Sequence, residues 1–212
     1  ALSIEVSFGS SLMFVNGGAP GTPDQDWRAA SRATASHSTL VLDERSSSRL
    51  IRHERLQALA GGVVIRGPAH VEVRIVEDDA AIAFDASHDG YLERYGVLHK
   101  RRVALAADGR RIDGTDQLMP PRGALRLKRD VPFAIHFHLH PDVRCTAAAL
   151  DEATIVLADG TAWKFSIAGA QLSVEEGIHF ADSSGPRHSL QLVARGASPG
   201  ETEVRWRVEA VA

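Results

Sequence analysis

Cysteine is nearly absent from this sequence, which has Cys145 as its single cysteine among 212 residues. One thiol cannot form an intrachain disulfide, so a disulfide-stapled fold is excluded. We interpret Cys145 as a small buried hydrophobic residue. Long apolar runs are absent too, because no stretch approaches the roughly 18 residues needed to span a bilayer. No charged-then-apolar leader opens the chain. A membrane is therefore not an expected partner.

An excess of one charge is also lacking. The 24 Lys and Arg residues and the 27 Asp and Glu residues are scattered, and the formal net charge is −3. Without a basic run there is no surface that follows a phosphate backbone, so nucleic acid is not an expected partner either. An initiating Met is missing as well, and the chain opens directly in a strand-like pattern. We expect the natural protein to continue upstream of Ala1.

What the sequence does have is alternation of apolar and polar residues. Residues 2–8 are the first example, and roughly a dozen short runs of this kind follow. Dipeptides typical of turns separate many of them, including Asp108-Gly109, Asp113-Gly114 and Asp159-Gly160. This pattern predicts an all-β fold, a large antiparallel multi-stranded β-sandwich with at most short helices. We expect one domain of residues 1–212.

The densest group of polar side chains lies over residues 27–39, which include most of a predicted short helix (residues 25–33, capped by Asp24) and lead into a predicted strand over residues 39–42. The group includes Trp27, Arg28, Arg32 and His37. Arginine pairs with carboxylate or sulfate and an indole stacks on a sugar ring, so the segment is suited to recognising an anionic sugar. The alternative interpretation is a solvated helix followed by a polar strand edge, since exposed Arg and Ser are ordinary surface residues.

Several motifs together resemble one known family. After the opening strand come Val15-Asn16-Gly17-Gly18 and then Arg32-Ala33-Thr34-Ala35-Ser36-His37-Ser38-Thr39, which leads into another strand. Further on come His88-Asp89-Gly90-Tyr91, His99-Lys100-Arg101-Arg102-Val103 and Phe137-His138-Leu139-His140-Pro141. In order and spacing these motifs resemble the heparinase II/III-like proteins, and the resemblance covers most of the chain.

The resemblance implies a polysaccharide lyase that cleaves uronic-acid-containing glycans by β-elimination, built from an N-terminal α/α toroid and a C-terminal β-sandwich. This chain would be the sandwich alone and incomplete as an enzyme. The toroid would supply an Asn or His for the substrate carboxylate and a Tyr for proton transfer, and the sandwich's catalytic His would lie upstream of Ala1. The implied partners are an acidic polysaccharide or oligosaccharide and the missing toroid of the same protein. The implied compartment is the periplasm.

Carried over to this sequence, the resemblance assigns a catalytic role to His37 and Arg32 and a role in substrate binding to Asn16, Trp27 and Arg28. In some members a His at the position of His37 binds a structural zinc together with an upstream His and an Asp. Asn16 stands at the Asp position, and a neutral amide is a poor zinc ligand. Two other interpretations stay open: His37 pins the loop to the sheet as a buried imidazole, or Arg32 pairs with Glu5.

Two further features allow alternative interpretations. Three histidines alternate along one predicted strand and share a face: His136, His138 and His140. They form either a metal site completed by neighbouring strands or a polar outer face opposite inward apolar residues. Three tryptophans favour a different function, a non-catalytic carbohydrate-binding or structural module: Trp27, Trp163 and Trp206.

Overall fold

The computed structural model describes residues 1–21, 25–50, 64–121, 130–182 and 185–211. Its strands are β1 (Val6–Phe8), β2 (Ser11–Val15), β3 (Leu40–Leu42), β4 (Arg49–Leu50), β5 (Val64–Arg66), β6 (Val71–Glu77), β7 (Ala81–His88), β8 (Leu98–Ala106), β9 (Arg111–Met119), β10 (Val131–Leu139), β11 (Arg144–Ala147), β12 (Glu152–Val156), β13 (Ala162–Ala168), β14 (Gln171–His179), β15 (Arg187–Ser198) and β16 (Thr202–Ala210). The helical elements are α1 (Gln25–Ser31), a 3-10 turn (Thr34–Ser36) and α2 (Leu92–Tyr95).

Two large antiparallel sheets make up the fold. The six-stranded sheet runs β1-β2-β10-β15-β14, with β3 also paired to β10, and the eight-stranded sheet runs β11-β12-β13-β16-β9-β8-β7-β6. Strands β4 and β5 form a separate ribbon. Within the described ranges, no helix has both the length and the apolar character needed to cross a bilayer. The predicted all-β sandwich with short helices is therefore confirmed.

The core lies between the two sheets and is centred on aromatic side chains. Phe14 and Phe137 come from the six-stranded sheet, while Phe165 and Trp206 come from the eight-stranded sheet. The ring of Phe137 lies 5.0 Å from that of Phe165 and 5.1 Å from that of Trp206, centroid to centroid. Burying each such side chain stabilises the fold by about 1.5–3 kcal/mol. These rings hold the sheets face to face.

One predicted turn is wrong, and Trp206 explains why. Gly109 and Gly160 have the positive φ of turn residues, 68° and 88°, but Asp113-Gly114 lies inside strand β9. A Cβ added at Gly114 would lie 2.0 Å from Cε2 of Trp206. The glycine is there because the indole on the neighbouring strand covers its backbone, a use of glycine inside strands that mimics a turn signal in the sequence.

Three other expectations need adjusting. Helix α1 ends at Ser31 rather than at residue 33, and its predicted cap Asp24 lies outside the described residues. The opening strand begins at Val6 rather than at residue 2, although the predicted burial alternation is present. Cys145 is half-buried and packs against the core, and burial raises the pKa of its thiol to about 11.

Candidate functional site

The candidate site is built on a gap along one edge of strand β10. On this edge β3 pairs with residues 133–135 and β2 pairs with His138 and Leu139. Between these two partners the chain leaves the sheet after Val15 and returns at Leu40, and the described residues of this segment, 16–21 and 25–39, form an excursion from the sheet. The fully buried Ser38 closes the gap, since its hydroxyl donates to the Val15 carbonyl (2.8 Å) and accepts from the His138 backbone N–H (2.9 Å). The excursion is thus fixed to the sheet where it returns.

Two adjacent glycines fix the start of the excursion. The Gly17 N–H donates to the Ser36 carbonyl (2.7 Å), and the Gly17 carbonyl accepts from the Phe180 N–H (2.6 Å). A Cβ at Gly17 would lie 2.9 Å from the Ser36 oxygen. Gly18 has a φ of +73°, and a Cβ there would lie 2.3 Å from Cβ of Ala181. Only glycine lets the loop lie this close to the strand end.

Asn16 connects the loop to both of its neighbours through its side chain. Its Nδ2 donates to Oε1 of Glu5 (3.0 Å), and its Oδ1 accepts from the Ser38 N–H (3.0 Å). The Asn16 backbone N–H also donates to the Glu5 carboxylate (3.3 Å). Glu5, the carboxylate suggested as a partner for Arg32, therefore receives hydrogen bonds from Asn16. Both ends of the Asn16 amide hold the loop in place.

His37 is half-buried at the end of the 3-10 turn. Its Nδ1 lies 2.9 Å from the Ala33 carbonyl. A carbonyl only accepts, so Nδ1 carries the proton, and in the neutral ring Nε2 has a free lone pair. The structure therefore gives His37 a fixed tautomer with Nε2 as the atom able to accept a proton.

Helix α1 and the residue that follows it carry the remaining predicted site residues. Arg28 and Arg32 are exposed, and Trp27 is half-exposed with its ring 5.5 Å from that of Phe180. These side chains sit on the same excursion as His37. Trp163 and Trp206, by contrast, are 6% and 2% exposed and belong to the core. Trp27 is therefore the one tryptophan with surface to offer a sugar.

The outer face of β10 lies beneath the excursion. Phe133, Ile135 and Phe137 point into the core, and His136 and His138, which alternate with them, point to the other face, as the alternation predicts. His138 is nevertheless buried, with Nε2 2.7 Å from the Ala35 carbonyl. Burial lowers the pKa of His138 to about 4, since the charged form would lose its hydration.

The three histidines of this face contact other side chains. The His136 and His138 rings stack with centroids 5.8 Å apart, and Nδ1 of His136 lies 3.0 Å from the Gln191 side-chain oxygen. His140 packs instead beside His179, at 5.7 Å. In the portion of the chain that the structure describes, no three His, Cys, Asp or Glu side chains are arranged to hold a metal ion. With the Asn16 amide bonded to Glu5 and Ser38, these residues do not by themselves make the zinc site that the resemblance implies.

A buried ion pair that was not predicted from the sequence holds the opening segment and the end of the excursion against the eight-stranded sheet. Arg101 and Asp116 are each 1% exposed. Arg101 donates from Nε to Oδ1 (2.8 Å) and from Nη2 to Oδ2 (3.0 Å) of Asp116. Its Nη1 donates to the carbonyls of Leu2 (2.9 Å) and Ser38 (2.8 Å). The guanidinium thus ties the eight-stranded sheet to the opening segment and to the residue that follows His37.

Two histidines extend this network in fixed tautomers. The Gly90 N–H donates to Nδ1 of His88 (3.0 Å), so the His88 proton is on Nε2, which donates to Nδ1 of His99 (3.2 Å). Nε2 of His99 then donates to Asp116 (2.7 Å). Burial lowers the pKa of both imidazoles. Burial opposes ionisation of Asp116, but the Arg101 charge and the hydrogen bonds from His99 and Arg101 outweigh it and hold its pKa well below the usual value.

The buried network explains why two of the motifs that resemble the family, at residues 88–91 and 99–103, have these side chains. The Tyr91 hydroxyl donates to the Leu40 carbonyl (2.9 Å), and its side chain is 1% exposed. Tyr91 is therefore a packing residue that supports β3. A signal for the ion pair existed in the sequence, because Arg101 and Asp116 occupy inward positions of their strands. A charge at an inward position requires a buried partner.

The fold and this surface define an antiparallel β-sandwich that carries a histidine- and arginine-bearing excursion on one sheet. A family described as heparinase II/III-like, C-terminal, matches residues 1–207. The chain belongs to this family.

One curated protein and two solved structures are similar to this chain. "FtsZ-localized protein C" of Caulobacter vibrioides (strain NA1000 / CB15N) is 28% identical over 194 residues, which is 88% of this chain and 33% of that protein. Two structures of a heparinase III gene product, one with methylated lysines, have TM-scores of 0.71 and 0.70 at 12% identity. Each match includes 99% of this chain, and this chain covers 30% of the first heparinase III chain and 29% of the second. The chain thus spans about a third of its relatives, and the likeness to heparinase III shows the fold alone.

Proposed function

We propose that this chain is the single C-terminal β-sandwich domain of a longer polysaccharide lyase that cleaves uronic-acid-containing glycans by β-elimination. A toroid domain in the same protein supplies the rest of the active site. The observation that carries the proposal is the family match over residues 1–207, combined with an excursion that holds His37 in a fixed tautomer and also carries the exposed Arg28 and Arg32. The proposed compartment is the periplasm, which fractionation of the source cells tests.

The chemistry sets what each side chain does. β-Elimination removes the C5 proton beside the uronate carboxylate, and the negative charge that develops must be stabilised while the leaving oxygen receives a proton. Arg28 and Arg32 pair with substrate carboxylates, and Trp27 stacks on a sugar ring. Nε2 of His37 accepts a proton or a substrate hydrogen bond, because Nδ1–H is committed to Ala33. Asn16 acts by positioning the loop, since its amide is bonded to Glu5 and Ser38.

The test uses the full-length parent protein with heparin, heparan, chondroitin, hyaluronan and alginate, and follows the ultraviolet absorbance of unsaturated uronate products. Losing one charge-assisted hydrogen bond costs roughly 1.5–3 kcal/mol, so Arg32→Ala and His37→Ala should each lower kcat/KM by about ten- to a hundredfold. Arg102→Ala is the matched control, because this exposed arginine pairs with Asp85 (2.6 Å) on the eight-stranded sheet.

Two results would overturn the proposal. One is the absence of unsaturated products from every glycan. The other is an equal loss of activity in the Arg102→Ala control, which would mean that the excursion is not the site. Zinc binding through His37 is proposed only with ligands from outside this chain, and metal analysis of the purified parent protein tests it.

A non-catalytic interaction module is the second candidate. The relative at 28% identity is named for its localisation with FtsZ rather than for a lyase activity, whereas the heparinase III structures share 12% identity with this chain. A module of this kind would yield no unsaturated product from any glycan. Glycan binding by the chain that is lost in Trp27→Ala would identify a carbohydrate-binding module, and no glycan binding would leave a structural one.

A further inference from the structure

Strand β6 is an uncovered edge of the eight-stranded sheet in the described part of the chain. Val71, Val73 and Ile75 are 53%, 64% and 68% exposed. Their cross-strand partners on β7 are His88, Ala86 and Phe84, so these apolar side chains extend the core-facing side of the sheet beyond the part that the second sheet covers. An alternating apolar stripe of this kind at a sheet edge is typical of a protein contact rather than of a surface meant for water.

The open edge of β6 also carries backbone N–H and C=O groups that do not bond to β7, and the hydrogen bonds at the two ends of the strand show which residues these are. At one end of β6 the Asp78 N–H donates to the Ala81 carbonyl (3.0 Å), and at the other end the His70 carbonyl accepts from the Asp89 N–H (3.3 Å). Both residues have even numbers, and backbone direction alternates along an antiparallel strand. The N–H and C=O groups of Val71, Val73 and Ile75 therefore point away from β7, toward the open edge.

Strand β6 lacks most of the features that block pairing. The edge strands of natural sheets are commonly protected by proline, charged side chains such as lysine, a bulge or short length. The sequence of β6 is Val-Glu-Val-Arg-Ile-Val-Glu, seven residues without proline or lysine, and its register with β7 has no shift. At the opposite edge of the same sheet, β11 has four residues. Strand β6 is thus the edge that is open to strand addition.

The charges on β6 indicate which strand pairs with its open edge. We propose that β6 pairs antiparallel with β6 of a second copy of this chain, about a two-fold axis at Val73. In this register Val73 faces Val73 of the second copy, and Val71 faces Ile75, as hydrogen-bonded pairs formed by the residues whose backbone groups point to the edge. Glu72 then faces Arg74 of the second copy, and Arg74 faces Glu72.

These two ion pairs fall at positions where side chains approach closely. Residues 72 and 74 form the non-hydrogen-bonded pairs of the proposed ladder, in which Cα atoms are about 4.5 Å apart. Both side chains are exposed on the outer face. Asp85, which faces Arg74 within the chain, is already paired with Arg102 (2.6 Å). The strand is therefore complementary to itself in both charge and hydrogen-bonding direction, and the apolar stripes of the two copies become continuous.

Charge exchange tests the register. Sedimentation velocity over a range of concentrations should show the chain associating from 22.8 kDa to a dimer. Glu72→Arg places two arginines opposite each other twice per dimer, and Arg74→Glu does the same with two glutamates. Like charges directly opposite each other are destabilising, so each single variant should weaken dimerisation by roughly tenfold or more. The double variant Glu72→Arg/Arg74→Glu restores both pairs and should return the dissociation constant to within about threefold of the starting value.

Val73→Pro provides a second test. Its N–H points to the open edge, so proline removes a hydrogen bond between copies and none to β7. Circular dichroism checks that this variant remains folded, and it should be monomeric. A chain that stays monomeric at all concentrations would overturn the proposal, as would a dimer unaffected by both single charge variants. Protection of Val73 from hydrogen exchange only in the longer parent protein, with a monomeric chain, would assign the edge to another domain and also overturn it.

Discussion

Replacing Asp116 with asparagine should greatly lower the free energy of unfolding of this domain, although the change keeps the shape of the side chain. Four donors converge on the two Asp116 oxygens. His99 Nε2 (2.7 Å) and Arg101 Nε (2.8 Å) bond Oδ1, while Arg101 Nη2 (3.0 Å) and Trp206 Nε1 (3.0 Å) bond Oδ2. An asparagine amide has one oxygen, so two of these donors would face an NH2 group. Arg101 would also remain buried without a counterion.

The magnitude follows from that loss. Removing one partner of a buried ion pair costs about 3–5 kcal/mol, because the remaining charge stays desolvated. Domains of this kind have a total unfolding free energy of roughly 5–15 kcal/mol. Asp113→Asn is the matched control on the same strand, since Asp113 is 41% exposed and pairs with Arg111 and Arg207. Exposed pairs contribute about 0–1 kcal/mol, so this control should change little.

Urea unfolding of the three proteins at neutral pH, followed by circular dichroism, measures the difference. The slope of the free energy with urea should remain the same for all three, because the surface exposed on unfolding does not change. If Asp116→Asn lowered the unfolding free energy by no more than about 1 kcal/mol beyond Asp113→Asn, the claim that this ion pair anchors the fold would be refuted.

Three other outcomes are expected. Burial lowers the pKa of His88 from 6.5 to about 3 and that of His138 to about 4. Below pH 6.5 the unfolded chain therefore takes up protons that the folded chain does not, so the free energy of unfolding should be highest above pH 6.5 and fall as the pH drops toward 4. A urea midpoint that stays constant over this range would contradict the shifts. Gly114→Ala places a Cβ about 2.0 Å from the Trp206 ring and should cost roughly 1–3 kcal/mol or more, seen as a lower melting temperature; an unchanged one would contradict the close packing. With its pKa raised to about 11, Cys145 should react slowly with a thiol reagent at pH 8 and quickly after denaturation; equal rates would contradict its burial.

The features of the fold that could be predicted from the sequence are those set by residues close together in the chain. The alternation of Phe133, Ile135 and Phe137 with histidines predicted both the strand β10 and its buried face, because successive side chains of a strand point to opposite sides. Gly114 could not be interpreted correctly, since its neighbour Trp206 is 92 positions away in sequence (206 − 114) and only the sheet order brings them together. The order of strands within each sheet is likewise invisible to a local pattern.

The candidate site divides in the same way. The motif spacing located the His37 excursion, and the structure places Trp27 and Arg28 on α1 and His37 at the end of the 3-10 turn that follows. The support beneath it was not predicted, because its hydrogen bonds join residues far apart: Arg101 reaches Leu2 and Ser38 over separations of 99 and 63 residues. A charged residue in a strand also resembles a solvent-facing position until its partner is known.

These two observations together explain why the site loop depends on the opposite sheet. The Ser38 carbonyl accepts from Arg101 (2.8 Å), while the Ser38 N–H and hydroxyl bond Asn16 and Val15. Every polar group of the residue that follows His37 is therefore committed, and the strongest of these contacts comes from a charge buried in the eight-stranded sheet. An isolated loop would pay the conformational entropy of fixing His37 each time a ligand bound. Here that cost is met on folding, so the position of the imidazole depends on the stability of the whole sandwich rather than on the loop sequence alone.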